Sequence, residues 1–367
     1  MGTEVDLAIR EQKASSCLNR GLKVELAKHS DEWDRYVESV TPQSLYHRWV
    51  WRDVIEESFG HRPFYLAAAV DGAIRGVLPL VQVRSRLFGS FLVSIPFFSY
   101  GGVLADTQEA RDALLAGAVE LGRELNVRHI ELRDSGVGQA TAPVPAAWTR
   151  DSHKVTMELE LPPSAEIYWK RLSSGMRNKI RQAQKHGLRA EWGGIEALPV
   201  FYNIFAVNMR NLGTPVYARQ FFETQLRRLS PHIRILTIWD DKTPVAAAFL
   251  IAHRHKLELP WSASLTTTRK KYSHVLLYWT FIVKAIEEGF RKIDLGRCSP
   301  GSGTYEFKRH WNPVERSLDW FYWSANGGSP RTLSGDNPRF KLATAVWKRL
   351  PVAVANRLGP KLVRGIP

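Results

Sequence analysis

Apolar and polar positions alternate or recur along the chain in an order that predicts mixed α/β structure. Leu22 to Ala27 alternates as a strand does, and Asp31 to Val40 has helical spacing with Ser30 or Asp31 as N-cap. Ser44 to Phe59 reads as a second helix ended by Gly60. Phe64 to Val70 and Ala73 to Val83 flank Asp71-Gly72, the signature of a hairpin. Leu87 to Pro96 is a further strand, leading into Ser99-Tyr100-Gly101-Gly102. Gln108 to Leu125 is an amphipathic helix, Arg128 to Arg133 a strand, and Gly136 to Ala147, rich in Pro, Gly and Ala, a linker.

The same order then recurs. Val155 to Leu161 predicts a strand, Ala165 to Lys185 a helical span, and Leu188 to Trp192 an extended segment. Helices are expected over Ala197–Asn211 and Ala218–Leu229, then a hairpin, Ile233–Trp239 with Val245–His253, and a strand, Lys256–Ser264. Val275 to Glu288 is a helix ended by Gly289, and Arg291 to Leu295 a closing strand. Val127 to Ser135 and Phe290 to Cys298 are near-copies in pattern, each behind a helix that follows a hairpin and a strand. One α/β unit used twice explains this order.

The length of 367 residues suits two domains. A hydrophobic fraction of 44% with thirteen Trp excludes a disordered chain. The net charge of +15 favours anionic partners: nucleic acid, an anionic membrane surface or phosphorylated substrates. Cys17 and Cys298 are too few for a disulfide framework and lack metal-ligand spacing, so no metal is expected. Residues 1–20 read as a polar leader without a signal-peptide core, and the longest apolar stretch, Val245 to Ala252, falls far short of the roughly 20 residues of a spanning helix. The expected place is the cytosol, with the basic tail either packed against its own domain or lying on the inner face of an anionic membrane. That tail, Arg339 to Pro367, alternates apolar residues with Lys and Arg and is broken by Pro351 and Pro360.

Candidate chemistry gathers between Arg291 and Trp323. A short strand runs into Gly296 and a loop with Pro300, Gly301 and Gly303, followed by Tyr305-Glu306-Phe307-Lys308-Arg309-His310-Trp311. Carboxylate, cation, potential base and aromatic walls converge there, as at a transferase site. On the predicted helix before it, Arg177, Arg181 and Lys185 are each one turn apart, giving a cationic face that suits a phosphate-bearing substrate or plain solvation.

These residues resemble the FemAB family of peptidyl and aminoacyl transferases, in the branch found alongside PEP-CTERM/exosortase systems. The resemblance rests on Asp294-Leu-Gly-Arg297, Gly303-Thr-Tyr-Glu-Phe-Lys308 and Trp311. It extends through Ser44-Leu-Tyr-His47 with Trp51, Phe59-Gly-His61-Arg-Pro63, Gly76-Val-Leu-Pro79, Tyr100-Gly-Gly102, Arg177 to Gly187 and Leu277-Tyr-Trp279, nearly the whole chain. It implies two tandem acetyltransferase-like (GNAT-like) domains, each a mixed twisted sheet flanked by helices, here residues 21–150 and 151–325 with a tail at 326–367. It implies transfer of an acyl or aminoacyl group to an amine or hydroxyl of a cell-envelope or exopolysaccharide precursor, at a site between the domains.

In that family the Lys after this Phe, here Lys308, is associated with stabilising the oxyanion; Glu306, Asp294 and His310 are then candidate bases or orienters. Arg297, Tyr305, Phe307, Trp311, Arg177, Arg181, Tyr100, His47 and Tyr278 are the expected substrate-binding residues. No tightly bound cofactor is implied; acyl-CoA or aminoacyl-tRNA would be the co-substrate. The sequence departs from both donor patterns. The place of a glycine-rich pyrophosphate loop reads Arg269-Lys-Lys-Tyr272-Ser-His274, and no charged helical hairpin is inserted between Ala197 and Leu229. A non-catalytic module that binds anionic glycan or membrane on the same fold stays open, as does non-specific attraction of RNA.

Overall fold

The structure of the protein is a computed structural model that describes residues 21–41, 44–85, 88–134, 145–327 and 338–366. The expected leader and most of the expected linker lie outside the described residues. The first repeat runs β1 (Lys23–Leu26), α1 (Ser30–Val40), α2 (Val50–Phe59), β2 (Arg62–Val70), β3 (Ala73–Ser85), β4 (Gly89–Val93), the short β5 (Leu104–Ala105), α3 (Gln108–Glu124) and β6 (His129–Arg133). The long β7 (Trp148–Glu160) leads to α4 (Ala165–Arg171), α5 (Ser174–Lys185), β8 (Arg189–Gly193), α6 (Leu198–Leu212), α7 (Arg219–Arg228), β9 (Ile233–Asp240), β10 (Thr243–His253) and β11 (Lys256–Ser264). The chain ends in α8 (Ser273–Glu287), β12 (Lys292–Cys298), α9 (Gly303–Arg309), β13 (Val314–Ser324), α10 (Pro338–Trp347) and α11 (Val352–Val363).

Local chemistry accounts for most boundaries. Asp71 and Gly72 both take positive φ, the geometry of the tight turn that joins β2 to β3. Gly60 stops α2 in the left-handed region, its amide donating to Glu56 O. Three expectations are corrected. The helix expected from Ser44 begins only at Val50, because the His47 carbonyl accepts from the Trp33 indole (2.6 Å). The span Ala165 to Lys185 is two helices, since Leu172 and Ser173 are extended and the Ser173 hydroxyl caps α5 at Met176 N. In the tail only Pro351 marks a break, and α11 runs on through Pro360. The inner side of α11 packs on its own chain: Ala355 and Val363 are buried, and the Arg364 carbonyl lies 2.9 Å from His61 Nε2. No helix among the described residues is long and apolar enough to cross a membrane.

The thirteen strands of the described residues form one sheet, ordered β1-β2-β3-β4-β6-β13-β7-β12-β11-β10-β9-β8 with β5 beside β3. In each repeat the strand after the long helix lies parallel to the strand before it. Val93 pairs with Glu131 in the first and Glu258 with Asp294 in the second. The near-copies in sequence therefore occupy equivalent places, and Glu131 corresponds to Asp294. What joins the halves is β13, which returns to pair antiparallel with β6 on one side and β7 on the other.

Alternate strand residues feed different cores. On one face α3 covers Leu80, Leu92, Ile130 and Leu132, and α5 and α8 cover Met157, Leu250, Ile293 and Leu295. On the other face α1 and α2 share a single core with α6 and α7, in which Phe59 meets Phe221 (4.9 Å between rings) and Phe98 meets Trp261 (5.5 Å). The halves are thus bound both by sheet and by core.

Candidate functional site

The seam between the halves is polar on the face shared by α1, α2, α6 and α7. Strand register sets Glu258, Asp294 and Glu158 side by side across β11, β12 and β7. Three carboxylates in a row repel unless neutralised, and Lys256 lies among them. Its ammonium is 3.0 Å from Asp294, 3.3 Å from Glu258 and 3.6 Å from Glu158. Asp294 also accepts from Thr156 Oγ1 (2.6 Å), the Gly296 amide (2.8 Å) and the Tyr100 hydroxyl. The Tyr46 hydroxyl donates to Glu258 (2.6 Å). Tyr46 and Tyr100 come from the first half, so the cluster spans both.

Burial sets the protonation here, and the partners correct it. Desolvation pushes the Asp294 carboxyl up, but Lys256 and the three donors outweigh it and hold it below the ordinary range. The Glu258 carboxyl is raised by burial, which Lys256 offsets only in part. Burial works against the Lys256 ammonium, and Asp294 and Glu258 more than restore it. Tyr46 and Tyr100, desolvated and facing carboxylates, stay phenols.

Lys308 reaches β12 from the α8 side. Ser302 caps α9 through the Tyr305 amide (3.2 Å), and the short helix turns Lys308 inward until it is 4% exposed. Its ammonium donates to Gly296 O (2.7 Å) and Arg297 O (3.2 Å). Both carbonyls lie at a bulge in β12, where pairing to β7 skips from Asp294 to Arg297, and Gly296 takes φ 76. The β11–β12 ladder stops at Glu258 and Asp294, so the bulge lies just beyond its end. Lys308 thereby satisfies backbone groups that the ladder leaves over, and burial pushes its pKa below the usual lysine range. Next to Lys308 in sequence, Phe307 packs edge-on against Tyr278 at 4.9 Å; Tyr278 stacks on Trp311 at 5.7 Å, and burial lifts the Tyr278 hydroxyl to about 12.

The other predicted residues are distributed unevenly. Arg297 and Tyr100 are at the seam. Trp311 is fully buried, its carbonyl accepting from the Tyr168 hydroxyl (2.7 Å), so it is core and not a wall of an open site. Glu306 and His310 are exposed, Glu306 lying 3.5 Å from Arg309, and neither is brought to the Lys308 ammonium. Tyr305 donates to Glu315 (2.7 Å). Arg177 donates to Leu172 O (2.9 Å), and Arg181 lies over the Trp169 ring at 5.3 Å. In place of the missing glycines, Tyr272 takes φ 56 before α8, with Arg269 and Lys270 exposed beside it. Sequence reasoning missed Lys256, Glu258, Glu158, Thr156 and Tyr46. The strand residues signalled only period-two polarity, which a solvent face produces equally well, and Tyr46 was visible only inside the Ser44–His47 resemblance.

His47 belongs to the first-half core. Its ring lies between Ser44 Oγ (2.6 Å) and Gly102 O (3.1 Å), and burial lowers its pKa to about 4. His61 and His274 are lowered to about 4 by the same cause. These folded rings bind protons less tightly than the unfolded chain, for which about 6.5 applies. Stability is therefore complete above pH 6.5 and falls as pH drops toward 4, by roughly 3 kcal/mol for each ring. Urea unfolding followed at pH 7 and pH 5 should show this loss, and His47→Gln should reduce it.

Known proteins share the fold. The acetyltransferase (GNAT) domain family matches residues 170–309, which include the β12 bulge and Lys308. No curated protein matches the chain significantly. Among solved structures, FemX superposes with TM-score 0.64 at 15% identity, over 88% of this chain and all of its own. L-PGS from Bacillus licheniformis gives 0.53 at 10% identity, over 88% of this chain and 98% of that one. A tandem GNAT protein from the clavulanic acid biosynthesis pathway gives 0.52 at 14%, over 84% and 100%. At these identities the likeness is one of fold. The chain has the tandem GNAT fold, and its second half carries the match to the GNAT acetyltransferase domain.

Proposed function

We propose that the protein transfers an acyl or aminoacyl group to an amine or hydroxyl, in the manner of FemAB-type transferases. The observation that carries this reading is a buried lysine ammonium at the β12 bulge, inside the segment that matches the GNAT domain. Acyl transfer builds negative charge on the carbonyl oxygen, and a donor fixed in a dry site stabilises it without reorganisation. Two of the three Lys308 N–H groups are engaged by Gly296 and Arg297, which leaves one for that oxygen. Asp294 acts by position: its bond from the Gly296 amide holds the bulge that aims both carbonyls at Lys308. Glu306 and His310 face solvent away from the Lys308 ammonium, so in this reading neither is the base and the acceptor's proton leaves to water.

The chain divides, in this reading, into units 21–150 and 151–325 with the reaction in the second. The donor is an acyl-CoA or an aminoacyl-tRNA, and the acceptor a cell-envelope or exopolysaccharide precursor. The test is a donor screen in which the purified protein meets acetyl-CoA, longer acyl-CoAs and charged tRNA, with amino sugars and lipid-linked glycans as acceptors. Release of free CoA or uncharged tRNA that depends on the acceptor is expected from one donor class. Turnover with neither class, under conditions where the protein is folded, would end the proposal.

A further inference from the structure

Beside the carboxylate cluster, the seam holds a second group of opposite character. Trp320 of β13 has two guanidiniums over its ring, Arg133 at 4.5 Å and Arg297 at 5.3 Å. They come from equivalent strands of the two halves, β6 and β12. Arg133 is satisfied: it binds Glu131 at 2.7 Å and donates to Phe98 O, with its side chain 1% exposed. Arg297 is not. It forms no ion pair with any described residue, and its Nη1 is buried without a hydrogen-bond partner. The Trp320 indole N–H beneath it is also buried and unpartnered. Lys154, whose ammonium reaches Ser299 Oγ, adds a third positive charge that disfavours Arg297 and is disfavoured by it. Tyr217 and Tyr322 bring phenol rings close enough to feel both arginines.

A buried donor without a partner is costly, more so when charged, and two around one ring are seldom tolerated without purpose. Like-charged Arg133 and Lys154 add to that cost, and Glu131, already paired with Arg133, offsets it only in part. An anion removes all of it at once. We propose that the seam binds an oxyanion of the substrate, carboxylate or phosphate, between Arg297 and Lys154 against the Trp320 N–H. A guanidinium fork suits either group, since both offer two oxygens at matching spacing. Lys308 donates to the carbonyl of Arg297 itself, so the anion would be anchored one residue from the proposed reaction centre. The proposal rests on the transferase reading only for what the anion belongs to.

Thermal unfolding at constant ionic strength tests it, with inorganic phosphate in one arm and succinate in the other. The full chain should show a saturable rise of about 2–4 °C in at least one arm. The arm that rises further identifies the phosphorylated or the carboxylate substrate. Arg297→Met should lose the response yet unfold, without anion, at or above the temperature of the unaltered protein, because it removes an uncompensated charge. Arg291→Met, at an exposed position, should keep the response. No saturable rise in either arm, a response kept by Arg297→Met, or one lost equally in Arg291→Met would overturn the proposal. Anion binding needs no turnover, so a protein that responds to anion yet turns over neither donor class would count against the transferase reading alone.

Discussion

Lys308→Met is expected to lower acyl transfer about 10²–10³-fold, the usual cost of removing one oxyanion donor. Methionine keeps most of the side-chain volume and removes only the ammonium, so packing around Phe307 and Tyr278 should survive. The carbonyls of Gly296 and Arg297 lose their donor, and a stability loss of roughly 1–3 kcal/mol follows. Lys308→Ala should abolish transfer as well, with a larger stability loss from the cavity. The effect belongs in kcat, since the charge is met only in the transition state. Burial has pushed the Lys308 pKa down, so the cation is lost at lower pH than an exposed lysine's. Transfer should accordingly fall as pH rises through that pKa. Unchanged kcat in the methionine variant would remove Lys308 from the chemistry and leave it a backbone plug.

Lys256→Met is expected to cost about 3–5 kcal/mol of folding stability. It leaves Asp294, Glu258 and Glu158 in one row with no ammonium between them. Truncating one side of a buried charge cluster is worse than never having built it, because the remaining charges stay desolvated. The pH dependence separates this from lost packing. Without Lys256 the buried Glu258 and Asp294 carboxyls bind protons more tightly than those of the unfolded chain, while Glu158 keeps its pair with Arg316. The deficit is then full at high pH and shrinks as pH falls and the carboxyls protonate. Denaturant unfolding at pH 8 and pH 5.5 checks it, and a deficit equal at both values would assign the loss to packing alone.

Much of the fold was readable because its rules are local. Hairpin turns announce themselves through Asp71-Gly72 and Asp241-Lys242, and the two strands that carry Leu132 and Leu295 repeat one pattern behind one kind of helix. What escaped depends on distant partners. Lys256 and Glu258 alternate with Leu257 and Leu259 as any strand with a wet face does. Only the docking of Tyr46 and Tyr100 from the other half turns that face into an interior. The break at Leu172 and Ser173 is similar, for Leu172 leaves helical geometry while burying its side chain. Within the candidate site, Lys308 and Asp294 stand at one bulge, whereas Glu306 and His310, their near neighbours in sequence, face the other side of a helix too short to hide them.

The position of β13 has a consequence for how the chain can be made. Residues 129–133 acquire their second strand neighbour only from residues 320–324, nearly two hundred positions later. While the polypeptide emerges from the ribosome, the first repeat must wait with its last strand bare on one side, a surface prone to pairing with the wrong chain. A gene cut between the repeats would therefore not release two self-sufficient modules. It would separate a sheet from the strand that completes it.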